Sequence, residues 1–264
     1  MTKRRGWLLG LSLGNLLFLY LPIAVLAVFS FNASSMTAQW QGMTLHWYRV
    51  MAEDAALLTA LQNSLLVALV STAIATVLGV SAAVSLERSP FRGHRAIEGA
   101  LLLPLVIPEV MMGVALLLFF VIVKVPLSLV TVTIAHTAFN LPLVLVIVRA
   151  RLRRLDPRLE EAARDLGATP WQAFRRVTLP LLKPAIVGAV LMAFTVSLDD
   201  FVVTFFTAGP GATTLPLKVY SMIKTGVSPE INALSAVLVL ISLALITWSL
   251  MFQRTQRRMY PFGH

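Results

Sequence analysis

The sequence predicts an all-α membrane protein, six helices crossing a bilayer with both chain ends in the cytoplasm. Three observations carry that expectation. Of 264 residues, 58% are hydrophobic and 13% charged, far more apolar than a soluble core of this length requires. Six apolar segments approach or exceed the ~20 residues a helix needs to cross the hydrocarbon core, and none alternates over ~10-residue units as a barrel strand does. With the N-terminus placed inside, eighteen of the 22 Lys/Arg fall on the cytoplasmic side and four outside, Arg49, Lys124, Lys218 and Lys224. That asymmetry sets the orientation. It also explains the net charge of +10 without invoking nucleic acid.

Taken in order, the first span covers about residues 7–31 behind Lys3-Arg4-Arg5. It is longer than the roughly 7–15-residue core of a secretory signal, so it reads as retained, with cleavage near Ala27 as the alternative. Residues 32–61 lie outside, where Trp40, Trp47 and Tyr48 are spaced as interfacial anchors and Thr44 can cap a short helix. The second span is about 63–86. The third, about 100–123, contains Pro104 and Pro108, which remove backbone donors and bend it. Only Lys124 and Pro126 separate it from the fourth, about 125–148, so these two form a tight pair. The fifth span is about 184–206. Outside residues 207–232 open on Gly209-Pro210-Gly211 and hold a short helix from Pro216 to about Lys224. The sixth span is about 233–252, and Arg254 through Arg258, like the N-terminal basic residues, read as anionic-lipid anchors. Residues 1–264 form one membrane domain. The absence of cysteine excludes disulfides and thiolate metal sites.

Residues 149–183, between spans four and five, carry nine Lys/Arg and four Asp/Glu. Asp156 can cap a helix beginning at Pro157, and Gly167 suits the left-handed position after its end. Thr169 and Pro170 repeat the start signal, which predicts one helix at about 157–166 and a second running toward Val177. Leu159, Ala162, Ala163 and Leu166 share one face of the first. Two alanines keep that face low enough for another protein's groove to close around it. The other reading is a loop helix lying on the membrane.

Asp199 and Asp200 fall in the outer third of the fifth span and Glu109 within the third. An acid near a helix centre costs roughly 2.5–3.5 kcal/mol to insert, so these groups should face protein or a watery path. Helix neighbours point about 100° apart. Ser197, Asp200, Thr204 and Thr207 make a polar stripe, which assigns Asp200 to the path or to a partner subunit and Asp199 to hydrogen bonds within the bundle, with the reverse assignment open. Glu109 either joins a cation path or pairs with Lys or Arg beside a packing kink. His136 and Asn140 read as interhelical hydrogen-bonding groups. No Lys follows a Gly, so a phosphate-binding loop is missing. No nucleophile–base set or metal-ligand spacing is visible either. The chain is therefore not expected to be an enzyme, and an intramembrane enzyme using the two aspartates is disfavoured by their divergence.

Glu161-Ala162-Ala163, Gly167 and Val177-Thr178-Leu179-Pro180 resemble the signature loop of binding-protein-dependent ABC importer permeases, with Val177 where isoleucine is usual. Ser197-Leu-Asp199-Asp200, Gly209-Pro210-Gly211, Leu215-Pro216-Leu217-Lys218-Val-Tyr220-Ser221 and Val227-Ser-Pro229-Glu230-Ile-Asn232-Ala233-Leu234 are similar to the spermidine/putrescine branch, and within it to the second membrane subunit. Asn32, Trp40, Gly42, Trp47 and Tyr48 extend the likeness to the N-terminal part. Relatives often carry Asp where this chain has Glu109.

The resemblance implies the type I ABC importer permease fold in a bacterial inner membrane and half of a polyamine translocation path. It places Glu161, Ala162, Ala163, Gly167, Val177, Leu179 and Pro180 in a coupling loop at 149–183. Asp200, Asp199 and Glu109 are its path candidates. The partners it implies are a second permease subunit, a dimer of ATPase subunits that hold ATP and Mg, and a periplasmic substrate-binding protein. No cofactor belongs to this chain. The alternatives are a permease for another small solute, or an ATP-independent channel or carrier.

Overall fold

The computed structural model describes residues 2–34, 39–88, 92–226 and 229–259. The elements follow the chain as α1 (Thr2–Phe29), α2 (His46–Glu53), α3 (Ala55–Arg88), α4 (His94–Val106), α5 (Glu109–Ile122), α6 (Leu129–Leu152), α7 (Arg158–Asp165), α8 (Pro170–Ala173), a π-helical stretch Phe174–Thr178, α9 (Leu179–Asp199), α10 (Val202–Thr207), α11 (Leu215–Thr225) and α12 (Pro229–Met259). No strand occurs among the described residues, only an isolated bridge between Asn32 and Met43. Among the described residues four stretches are long and apolar enough to cross a membrane: Gly10–Phe29, α3, α6 and Pro170–Asp199. α4 and α5 make a fifth if taken as one broken span, and α12 adds the shorter apolar stretch Pro229–Ala244.

Two expected spans are not single helices. The third bends by 113° between α4 and α5, because Pro108 has no amide donor and holds Ile107 extended at ψ 132°. Glu109 is thus the first residue of a helix, where the aligned peptide dipoles favour a negative charge. The fifth stops at Asp199. Asp200 is extended, at φ −67° and ψ 123°, before the six-residue α10. At its other end this span starts earlier than expected. The short loop helix does not stop near Val177 but runs through the π turn into α9, making one stretch, Pro170–Asp199, of 30 residues. The wider turn at Phe174–Thr178 carries the chain past Pro180 and Pro184 without ending it.

The chain divides into two compact units, Met1–Leu57 with Val219–His264, and Leu58–Lys218. In the first, α12 lies against α1 and α2. Asn32 is buried. Its side chain donates to the Gln39 carbonyl at 2.7 Å and accepts from the Gln41 amide at 2.9 Å, while its carbonyl accepts from Trp47 Nε1 at 2.9 Å. The Tyr48 hydroxyl lies 2.6 Å from Ser30 Oγ. Trp47 and Tyr48, expected as interfacial anchors, therefore spend their polar ends on the protein. Thr44 accepts from the His46 amide at 3.1 Å, as a start signal for α2 should. The side chains of Lys3-Arg4-Arg5 and Arg254 through Arg258, and residues Val227 and Ser228, lie outside the described set.

The second unit is built on α6. Val144, Leu145 and Val148 are fully buried among Ala83 and Leu86 of α3 and Leu182, Ala189 and Ala193 of α9. Farther along, Met112 of α5, Ala135 of α6 and Val203 of α10 form a second cluster. The 123–128 and 208–214 connections meet backbone to backbone. A Cβ added at Gly209 would lie 1.9 Å from the Leu127 carbonyl oxygen, so only glycine fits there. Gly209→Ala should destabilise the detergent-solubilised protein by about 1–3 kcal/mol. Gly99→Ala in α4, where an added Cβ meets nothing within 4 Å, should be neutral or mildly stabilising. Thermal melts of the two variants check this, and equal melting temperatures would contradict the close approach.

Candidate functional site

The loop between α6 and α9 carries one candidate surface. Asp156 Oδ1 accepts from the Arg158 amide at 3.0 Å and starts α7. At the other end Gly167 takes φ +92°, and the Ala168 amide reaches back to the Ala163 carbonyl at 3.1 Å, closing the helix in the left-handed manner. Thr169 and Gln172 then exchange side chain-to-backbone hydrogen bonds of 3.3 and 3.0 Å, a capping box at the start of α8. The face bearing Leu159, Ala162, Ala163 and Leu166 is largely uncovered by the described residues: Leu159 is 49% and Leu166 90% exposed, and Ala163 is half-buried. Trp171, stacked on Phe174, is 66% exposed beside it.

What holds this surface is a set of charges from distant parts of the chain. Arg88, at the end of α3, pairs with Glu160 of α7 and donates to Thr178 Oγ1 at 2.9 Å. Thr178 in turn donates to Glu160 at 3.1 Å. The Arg88 guanidinium also sits 5.5 Å from the centre of the Phe174 ring, within cation–π range. A second cluster joins the ends of α3, α4 and α6. Arg149 pairs with Glu87 at 2.9 Å and with Glu98, and Arg153 pairs with Glu87 at 3.0 Å.

The other candidate is a cleft of about 550 Å³ whose lining includes Glu109, Phe139, Thr195, Asp199, Asp200 and Phe201. Both helix breaks border it. Irregular backbone at membrane depth is tolerated only where protein or a watery cavity satisfies its polar groups, and Asp200 does so at one break. Its carboxylate accepts from the Val203 amide at 3.3 Å, the Thr204 amide at 2.8 Å and Thr204 Oγ1 at 2.8 Å. His136 Nε2 lies 3.2 Å from it. The same ring places Nδ1 2.7 Å from Ser197 Oγ and Nε2 2.9 Å from Thr204 Oγ1, and Ser197 Oγ is 3.1 Å from Ser71 Oγ. Asp199 and Glu109, by contrast, are exposed on this chain and have no ion pair or side-chain hydrogen bond among the described residues.

A family model for the binding-protein-dependent transport system inner membrane component matches residues 75–259. The chain belongs to this family. The spermidine/putrescine transport system permease protein PotC of Escherichia coli strain K12 is 40% identical over 241 residues, 91% of each chain. The putrescine transport system permease protein PotI of the same strain is 41% identical over 265 residues, covering 97% of this chain and 94% of PotI. The fold also matches a chain from the crystal structure of a bacterial ABC transporter involved in the import of the acidic polysaccharide alginate, with a TM-score of 0.73 over 96% of both chains and 18% identity. The protein is a transport permease and not an enzyme.

Within this permease, the sequence-derived loop residues come together: Glu161, Ala162 and Gly167 are exposed, and Ala163, Val177 and Leu179 half-buried. Sequence reasoning missed Glu160, Arg88 and Thr178, since nothing local pairs residues 72 positions apart. In the cleft, the carboxylate hydrogen-bonded within the bundle is that of Asp200, and the exposed one is that of Asp199, the reverse of the expected assignment. The cause is the helix break, which turns Asp200 into the cap of α10. Glu109 has no cationic partner among the described residues. His136 makes the expected interhelical bonds, whereas both amide atoms of buried Asn140 are unpaired there. If the Arg88 clamp holds α7, Glu160→Gln should speed hydrogen exchange of the 159–166 amides severalfold while leaving 140–148 unchanged. Its cost in global stability should be under about 1 kcal/mol because the pair is partly exposed. Unchanged exchange in α7 would contradict the clamp.

Proposed function

We propose that this permease is the second membrane subunit of an ATP-driven polyamine importer in a bacterial inner membrane. The observation that carries this reading is the pair of carboxylates, Asp199 and Glu109, that have no partner among the described residues and share one cleft. An acid with a partner is structural; an acid at membrane depth without one is placed to replace water around a cation. Phe139 and Phe201 line the same cleft and can present ring faces to an ammonium group. The names of PotC and PotI, which cover nearly the whole chain, support the same substrate class.

In this reading α4 and α5 count as one broken span and α12 as the sixth, which with the charge asymmetry puts both termini in the cytoplasm. The family match runs through both compact units, which supports treating 1–264 as a single permease domain. A second permease subunit closes the path, and a periplasmic binding protein delivers the solute. Two ATPase subunits bind ATP and Mg. Their cleft receives α7 through Leu159, Ala162, Ala163 and Leu166, with Glu161, Gly167, Val177, Leu179 and Pro180 shaping the loop, and their closure moves the Pro170–Asp199 helix.

Two measurements on the assembled transporter in proteoliposomes test these roles. Asp199→Asn and Glu109→Gln should each raise the half-saturating concentration of labelled putrescine or spermidine by about tenfold, the loss of one charge-assisted contact. Unaltered uptake by both would contradict the cation path, and uptake that neither polyamine competes for would point to another solute. Gly167→Trp should let ATP hydrolysis continue while uptake falls at least about tenfold. Normal uptake, or flux without ATP, would contradict the coupling role.

A further inference from the structure

The structure assigns His136 as a positioning residue that straps the broken fifth span and so selects which of two adjacent aspartates meets the cation. The inference rests on the cation-path reading of the cleft and adds what sets its geometry. His136 is 1% exposed on α6. One ring nitrogen meets Ser197 on the last turn of α9, and the other meets Thr204 on α10 and the Asp200 carboxylate between them. A single rigid ring therefore touches both sides of the break and the residue within it. With a proton on Nε2 the ring serves all three neighbours. Nε2–H is shared between Thr204 Oγ1 and Asp200, the Thr204 hydroxyl donates a hydrogen bond to Asp200 Oδ2, and Nδ1 accepts from Ser197.

Asp199 and Asp200 follow one another at a helix end, so their side chains diverge by about 100°. Both acids border the cleft, but the Asp200 carboxylate is 7% exposed and engaged by His136, Val203 and Thr204, which leaves Asp199 as the open one. Without the ring, a buried carboxylate loses a donor and gains by reaching water in the cleft. α10 then loses its cap and Asp199 its fixed direction. His136 touches neither solute nor cleft in this scheme; it acts through Asp200.

Two substitutions separate this from simple packing. Glutamine places its amide nitrogen where Nε2 lies and keeps the Thr204–Asp200 contact; asparagine reaches only the Nδ1 position. In the reconstituted transporter with labelled putrescine, His136→Asn should raise the half-saturating concentration about tenfold with the maximal rate within about twofold of the parent. His136→Gln should stay within about twofold in both. Equal effects of the two variants, or a fall confined to the maximal rate, would overturn the assignment. Should His136→Asn fail to assemble, Thr204→Val deletes the bridging hydroxyl in the same shape, and it should raise half-saturation likewise; no change there would overturn it too. Asp199→Asn in the same preparation distinguishes the two failures. If it leaves uptake unchanged, Asp199 has no part in the path and His136 has no acid to aim; if Glu109→Gln leaves it unchanged too, the cleft reading falls. If it impairs uptake while His136→Asn matches His136→Gln, only the positioning role falls.

Discussion

A helix cannot be interrupted inside a bilayer unless something other than water takes its freed backbone groups, each unsatisfied group costing several kcal/mol. In the fifth span that something is the Asp200 carboxylate. It caps the first amides of α10 and is itself held by His136 and Thr204. Around that one satisfied charge the rest of the cleft becomes possible: α10 can turn back against α5, the break at Pro108 lies beside it, and Asp199 and Glu109 are left facing space. A buried carboxylate without those donors would be too costly to retain, and with an unbroken helix there would be no cap for it to make.

The other end of the same helix lies in the charged loop after α6. Because α8, the π turn and α9 run on without a break, the segment that carries Trp171 and Phe174 also carries Thr195 and Asp199. Thr178, within the π turn, is tied through Glu160 to α7 and through Arg88 to α3. A displacement of α7 thus has a side-chain route into the long helix, and that helix has a direct route to the cleft.

Much of this was legible in the residues. Asp156, Gly167, Thr169 and Pro170 marked the loop helices because caps and left-handed glycines are local chemistry, and apolar length marked the spans. What escaped was set by tertiary partners. Pro108 signalled the bend in the third span, but apolar residues flank the Asp200 break, so hydropathy runs straight through it. The inward turn of Asp200 depends on a histidine 64 positions earlier in the sequence, and Glu160 outranks its neighbour Glu161 as an anchor only because Arg88 happens to arrive there. Helical spacing separated the two aspartates by direction but held no information on which direction was inside.

The continuity of the Pro170–Asp199 helix during turnover is the central mechanical claim, and the absence of native cysteine makes it directly measurable. Spin labels on cysteines introduced at Gln172 and Thr195 should lie about 35 Å apart at 1.5 Å per residue, and pulsed electron paramagnetic resonance on the assembled transporter would report their separation with and without trapped ATP. A constant distance between these two sites, with a changed distance from Thr195 to a label at Ile134 on α6, is the predicted result. A Gln172–Thr195 separation that shortens or broadens on ATP trapping would mean that the helix flexes at its π turn and that the loop does not drive the cleft as a rigid lever.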